Sequence, residues 1–533
     1  MSLVLVVPGS RSVSSDTIPA SGRFLAISPA QAVVALILVS GLARILISAS
    51  VGLGIDESYT VANARHFAWS YVDYPPLHVW LVGAWSRLCG TENSLIVRLP
   101  FVAIFAGSTW MMFRLTALLF GERAGAWAAL MLNLAPVFTL PHASWVLPDG
   151  PLALFMLLSA YAMALALFRE AQPPSVPKAW IAAGLFAGLA MLTKYHGAFL
   201  LAGAFVFLLT WSEGRRILNT PWPWIAAALA LLVFLPVIAW NAQHDWVGLF
   251  FQSRRITKST ALDPMRVIAS IVEQAAYLSP WLFVALAAVW LRALRAGRAF
   301  PKAWFLAILA GGPIIFFTAA NLFSRGLPHW PMPGWLLVFP LLGAELARAE
   351  RLRPKLVRTA SASAALLLAT VLAIFSTNGS NGWLAQEMPA KWSGIDPTLD
   401  LLNWSEIEPD MRQRHLLGPD TAAVAGTRWF EAGKLNYAMG RDVPVVCLCA
   451  DPQQFRYLHG LAQFAGRNIL IIEPQKEFAR HGATFAQLFD RFQPLAPIVL
   501  HRAGAEVLQL AVIRGVGFHL AQAERFSGGG IMK

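Results

Sequence analysis

Charged side chains are scarce in this sequence. Asp, Glu, Lys and Arg make up 13% of its 533 residues while 57% are hydrophobic, against roughly a quarter charged in a soluble globular domain. Such a composition excludes an ordinary soluble enzyme and points to a membrane protein. Cysteine is scarcer still: Cys89, Cys447 and Cys449 cannot build a disulfide framework and match no metal-cluster spacing. In "VPVVCLCAD" the last two alternate along an expected buried strand, so they read as packing residues without a function. The N-terminus lacks the charged, apolar and small-residue order of a signal peptide, and residues 1–29 read as a disordered cytoplasmic lead. No internal repeat stands out.

Long apolar runs are abundant instead. Stretches suited to crossing a hydrocarbon core fall near 30–50, 94–119, 124–143, 147–168, 179–193, 196–211, 222–240, 267–291, 303–322, 332–347 and 359–377. They predict an α-helical polytopic membrane protein with about 11 transmembrane helices. The pair split by "TKYHG" reads as tilted or broken. Past residue 378 the runs give way to alternating stretches such as "NILIIEP" and "PIVLHRAGAEVLQLAVI". That change predicts a transmembrane domain over 30–378 and a small α/β domain over 379–533.

The net charge of +13 does not imply nucleic acid, because the basic residues cluster between apolar runs: Arg123, Arg169 with Lys178, Arg215 with Arg216, "RALRAGRAFPK" and "RAERLRPKLVR". By the positive-inside bias these connections face the cytoplasm. The loop 51–93 and the C-terminal domain then face the periplasm of a bacterial inner membrane, where the unusual polar residues collect.

Directly after the first run stands "GIDESYTVANARHFAWSYVDYPPLHVW", residues 54–80. Adjacent carboxylates at Asp56 and Glu57 resist dehydration and must meet water, a cation or an acceptor's proton; a solvated loop is the plain alternative. Tyr59, Ala62, His66 and Trp69 recur at helical spacing, which predicts an amphipathic helix lying on the membrane surface. Pro75 and Pro76 then precede a second apolar helix too short to span. Asp149 in "WVLPDGPLAL" suits a helix cap and also a catalytic carboxylate.

Lys194 and His196 sit in the break between two runs, where an anionic lipid head would relieve an unpaired ammonium. Arg254, Arg255 and Lys258 of "QSRRITK" stand on the periplasmic side against the general bias, as expected of groups that hold a phosphate. His244 in "NAQHDW" and His329 in "LPHWP" read as ligands or as interfacial histidines beside Trp. Arg65 and His66 are explained by the helical pattern, and Glu273 with Gln274 by a polar contact at a span's end.

Taken in order, the Asp-Glu pair after the first span, "DYPPL", "PDGPL", "LTKYHGAF", "WNAQHDWVGLFFQ" and "HWPMPGWL" resemble the GT-C class of membrane glycosyltransferases. The resemblance is to the glycosyltransferase 39 and 83 type, which includes protein O-mannosyltransferases and the aminoarabinose and galacturonic acid transferases of lipid A. It runs through about residue 340. It implies transfer of a sugar from a polyprenyl-phosphate donor to a lipid A, lipopolysaccharide core, polysaccharide or protein acceptor, with Asp56 at the position of the family's catalytic carboxylate.

A phosphate-linked sugar carries its own leaving group, so such a site needs one base and cations for the departing phosphate. The expected roles are Asp56 as base, Glu57 positioning the acceptor or tuning Asp56, and Asp149 in support. Lys194, His196, His244, Arg254, Arg255 and His329 contact the substrate, and Tyr74 stacks on a sugar ring. No cofactor and no metal is expected; a divalent cation held by Asp56, Glu57 and Asp149 is the alternative. The chain departs from the aminoarabinose transferases at Asp73-Tyr74, where they carry a Glu-Lys pair, and this favours a neutral sugar or a uronic acid. A monomer is expected. A polyprenyl-linked lipid transporter and an O-antigen-type ligase or polymerase are the alternatives, the first disfavoured because the polar motifs gather at one face rather than at mid-membrane.

Overall fold

The computed structural model describes residues 27–168, 175–256, 262–384 and 396–523. Among the described residues, eight helices are long and apolar enough to cross a membrane: Pro29–Ser50, Ser94–Phe120, Asp149–Phe168, Val176–Thr193, Trp222–Gln243, Pro280–Ala299, Pro301–Ala320 and Pro354–Asn381. A ninth is possible only if Tyr195–Thr210 and Ser212–Leu218, bent by 116° at their junction, count as one span.

Three expected spans are divided into shorter helices. The run 124–143 stops as the helix Glu122–Leu134, and Pro136 opens a separate turn. The run 267–291 breaks at Ser279 into Pro264–Leu278 and Pro280–Ala296. The run 332–347 becomes Met332–Leu336 and Phe339–Leu352. Proline explains the first two breaks, since it has no N–H to continue a helix and disfavours helical geometry in the residue before it.

The helices Val176–Thr193 and Trp222–Gln243 meet through small residues. A Cβ on Gly184 would collide with the Ala226 backbone, and one on Gly188 would lie 2.7 Å from Val233 and 2.9 Å from the Ala230 carbonyl. This spacing of two glycines four apart lets helix backbones approach where lipid offers no hydrophobic drive. Outward-facing side chains are apolar, with Leu38, Leu232, Val284 and Leu366 all exposed.

After the bundle, five strands form one sheet in the order β2-β1-β3-β5-β4: β1 Thr421–Gly426, β2 Val445–Cys447, β3 Asn468–Pro474, β4 Phe489–Arg502 and β5 Ala505–Phe518. β1 runs parallel to β2 and β3, and β5 is antiparallel to β3 and β4. β1 and β3 are buried along nearly their whole length, as parallel strands covered on both faces must be. The α/β reading of this region is borne out.

Cys447 and Cys449, expected only to pack, are joined in a disulfide. Along a continued strand their side chains would stand too far apart, but β2 ends at Cys447 and the bend brings the two Cα atoms to 5.4 Å, within disulfide reach. Cys89 is free and exposed.

We number the helices at the start of the chain α1 (Pro29–Ser50), α2 (Ile55–Ala64), α3 (Leu77–Cys89) and α4 (Ser94–Phe120). α3 has 13 residues, short as expected. α2 does not lie on the membrane surface: it is buried from Glu57 to Ala64, held against the α/β domain. On the Trp429–Met439 helix, Gly433 lets the two backbones touch, since a Cβ there would sit 3.1 Å from the Cα of Tyr59. Lys434 caps the carbonyl oxygens of Leu53 at 2.5 Å and Leu402 at 2.8 Å. Arg65 donates to the Asn436 carbonyl at 2.5 Å and Gly440 at 2.6 Å while pairing with Glu92. Of the expected apolar face, Tyr59 and Ala62 are in α2 and buried by protein, whereas the helix ends at Ala64 and leaves His66 and Trp69 exposed beyond it.

Candidate functional site

Arg98 stands near the start of the largely apolar helix α4 and is 1% exposed. A guanidinium there requires acceptors. It finds Glu57 through two bonds, Nε to Oε1 at 2.8 Å and Nη2 to Oε2 at 2.5 Å. It also donates to the carbonyls of Ser48, Val51 and Gly52, where α1 runs out. Glu57 is completed by the N–H groups of Gly54 at 2.7 Å and Val146 at 3.0 Å.

A carboxylate accepts about four bonds in its plane, and here all four are spent inside the protein. Glu57 therefore does not face a substrate. Its contacts fix the first turn of α2, a correction to the expectation that it positions the acceptor; the alternative, that it tunes Asp56, agrees with its charge raising the Asp56 carboxyl.

The neighbouring Asp56 points elsewhere. It is half-buried, and among the described residues nothing hydrogen-bonds its carboxylate. Burial first, then the charges of Glu57 and Asp400, push it up to about 6, with Arg255 opposing. An under-solvated carboxylate near neutrality and without a partner is suited to take a proton.

Beside it lies a cavity of about 240 Å³ whose polar lining includes Asp73, Tyr74, Lys194, His196, Arg255 and His329, with Phe317 and Trp330 among the apolar walls. Lys194 emerges where the helix Val176–Thr193 ends and pairs with Asp149, in the first turn of Asp149–Phe168, at 2.9 Å. His142 stands 3.6 Å from the same carboxylate. Arg255 lies over the rings of Phe251 at 5.6 Å and Trp330 at 5.4 Å, which holds a cation flat without consuming its donors. His196 stacks on Phe317 at 4.3 Å. Burial and Lys194 hold His329 down to about 3, so its imidazole is neutral. The charge of Arg255 acts on both Asp56 and Asp73, which brings the base, the second carboxylate and the cation into one electrostatic unit.

Of the residues expected at the site, Asp56, Asp149, Tyr74, Lys194, His196, Arg255 and His329 are brought together. Arg254 is exposed and absent from the cavity lining. His244 stacks on Trp240 at 4.1 Å beside Tyr457 and is absent from the cavity lining. Lys258 lies outside the described residues. Glu273 pairs with Arg325 and Gln274 accepts from Trp335, polar contacts as read.

Sequence reasoning passed over Arg98, Tyr59, His142 and Gln252. Arg98 had a signal, being one of only two charges, with Arg114, in a 27-residue apolar helix. Among the described residues no group of three or more His, Cys, Asp or Glu is placed to hold a metal ion. Asp56, Glu57 and Asp149 in particular do not converge as an oxygen cage, because Glu57 and Asp149 are spent on cations.

With this geometry in view, three comparisons agree. The family model described as dolichyl-phosphate-mannose-protein mannosyltransferase matches residues 73–240. The lipid A galacturonosyltransferase RgtD of Rhizobium johnstonii is 25% identical over 297 residues, covering 54% of this chain. The chain thus spans 60% of that relative's length. The crystal structure of ArnT from Cupriavidus metallidurans bound to undecaprenyl phosphate superimposes with a TM-score of 0.62 at 16% identity, covering 91% of this chain and 97% of that one. Its apo state gives 0.63 over 91% and 98%. The chain thus has the ArnT fold and a sequence likeness to GT-C class membrane glycosyltransferases, as its motifs indicated.

Proposed function

We propose that this protein is a glycosyltransferase of a bacterial inner membrane that moves a sugar from a polyprenyl-phosphate donor to a periplasmic acceptor by a single inverting displacement. The observation that carries this reading is the pairing of a partnerless carboxylate, Asp56, with a cation-lined cavity at the same end of the bundle. Asp56 takes the proton of an acceptor hydroxyl as its oxygen bonds to the anomeric carbon. The carbon–phosphate-oxygen bond breaks on the opposite face, and the phosphate departs with the electron pair toward Arg255 and Lys194. His329 and His196, neutral and polar, suit the uncharged hydroxyls nearby.

Side-chain cations serve the phosphate on this account and no metal is required; transfer that survives a chelator supports that part. The basic connections 215–216, 292–298 and 348–358 lie at the far ends of the spans from Asp56, which supports placing the site on the periplasmic side. Acceptor classes open to such a site are lipid A, lipopolysaccharide core, polysaccharide and protein. The test is mass spectrometry of lipid A, core sugar and envelope glycoproteins from a deletion strain. Loss of one sugar residue mass from one of them, restored by the gene, is expected; an unchanged envelope glycan complement overturns the reading.

A further inference from the structure

Asp73 lines the donor cavity, is 3% exposed and belongs to no helix or strand. Something outside the local backbone must hold it. Its main-chain carbonyl accepts from Gln252 Nε2 at 2.5 Å. Its Oδ1 accepts from the Tyr59 hydroxyl at 3.2 Å.

That hydroxyl in turn accepts the backbone N–H of Gln454 at 2.9 Å. A phenol has one proton; with its oxygen already accepting from an amide, the proton is directed onto Asp73. The side chain of Gln454 completes the clasp, its Oε1 accepting from the Val72 N–H at 3.0 Å. Gln454 belongs to the α/β domain and follows the loop closed by the Cys447–Cys449 disulfide.

We propose that Tyr59 and Gln454 form a relay through which the α/β domain positions Asp73 in the donor cavity. The proposal rests on the donor-cavity reading above. It makes the α/β domain a wall of the site, and Tyr59 and Gln454 positioning residues. The other groups acting on Asp73 are Asp56 from α2, Arg255 from the helix Val247–Ile256, Tyr74 beside it and Tyr195 across the cavity. Burial pushes Asp73 up to about 7, with its own backbone N–H, the Tyr59 bond and Arg255 opposing in that order.

The experiment uses full-length protein in nanodiscs. The Asp73 carboxylic acid is followed by its infrared carbonyl band, assigned by its absence in Asp73→Asn. Tyr59→Phe keeps the ring contacts with Trp429 and Phe455 and removes only the hydroxyl. The Asp73 midpoint is expected to rise by about one pH unit, because a bond that favours the charged form is lost. Gln454→Leu, which frees the Val72 amide, is expected to raise it less. Binding of undecaprenyl phosphate at pH 7.5 should tighten severalfold in Tyr59→Phe, since a protonated Asp73 no longer repels the phosphate, and should not tighten further in an Asp73→Asn background.

An Asp73 midpoint that coincides in wild type and Tyr59→Phe, whatever happens to thermal stability, overturns the relay. The lipid arm separates the two claims: wild type that holds no undecaprenyl phosphate overturns the donor reading, while the infrared midpoint alone decides the relay.

Discussion

Arg98 grips both oxygens of Glu57, at 2.8 and 2.5 Å, one residue from the carboxylate that the same stretch leaves without a partner. Adjacent acidic residues thus do opposite work: one builds the turn, and the other is left to the field of Arg255 and Asp73, which line the cavity. Removing one partner of a buried pair strands the other charge and costs about 3–5 kcal/mol. Glu57→Gln and Arg98→Leu should therefore lower the unfolding temperature of the detergent-solubilised protein and reduce its yield. Either variant with wild-type stability contradicts the structural assignment of Glu57.

Arg254 and Arg255 are neighbours in sequence and differ in place. Arg255 lines the cavity; Arg254 is exposed away from it. Charge-assisted bonds to phosphate are worth about 1.5–3 kcal/mol, so Arg255→Ala should weaken binding of undecaprenyl phosphate roughly tenfold or more, and Arg254→Ala should leave it nearly unchanged. Equilibrium binding to protein in nanodiscs measures both. Equal losses at the two positions would place the phosphate elsewhere.

Much of this was legible in the sequence because lipid constrains it. Apolar length marked the spans, and ionisable residues that lipid would reject marked Asp56, Asp149, Lys194 and Arg255. The helical spacing of Tyr59 and Ala62 was legible too, but not what buried them or where the helix stops: it ends at Ala64, and His66 and Trp69, read as the same face, are exposed beyond it. Glu57 could not be separated from Asp56 by type or position; only the approach of Arg98, 41 residues on, distinguishes them. Nothing local linked Tyr59 to Gln454, 395 residues away. His244 and Arg254 matched by motif and fell outside the cavity, because a motif fixes order along the chain and not the direction of a side chain.

The ionisation of Asp56 sets a pH dependence of definite sign. Its folded value of about 6 lies above the unfolded value of about 3.9. The native state therefore holds the proton more tightly, and the stabilisation this gives is complete below about pH 4 and lost as pH rises through about 6. Turnover runs the other way, since the base must be ionised. Initial transfer rates should fall toward tenfold per unit below pH 6, while thermal stability does not fall in step. A rate that is flat from pH 7 to 5 would remove Asp56 as the titrating base.

The disulfide predicts a thiol count. Under non-reducing denaturation an alkylating reagent should modify Cys89 alone; after reduction it should modify Cys447 and Cys449 as well, read by peptide mass. Persistence of that bond also fits an oxidising compartment. Three reactive thiols before reduction in protein from intact cells would contradict the bond and weaken the periplasmic placement of the α/β domain.

The central claim is that Asp56 is the base of a sugar transfer. The direct measurement is complementation of a deletion strain with Asp56→Asn, with membrane level and unfolding temperature checked and the envelope glycan weighed by mass spectrometry. The account predicts wild-type folding and retained binding of undecaprenyl phosphate, with the missing sugar mass not restored. Restoration of that mass by Asp56→Asn at a wild-type rate would contradict it.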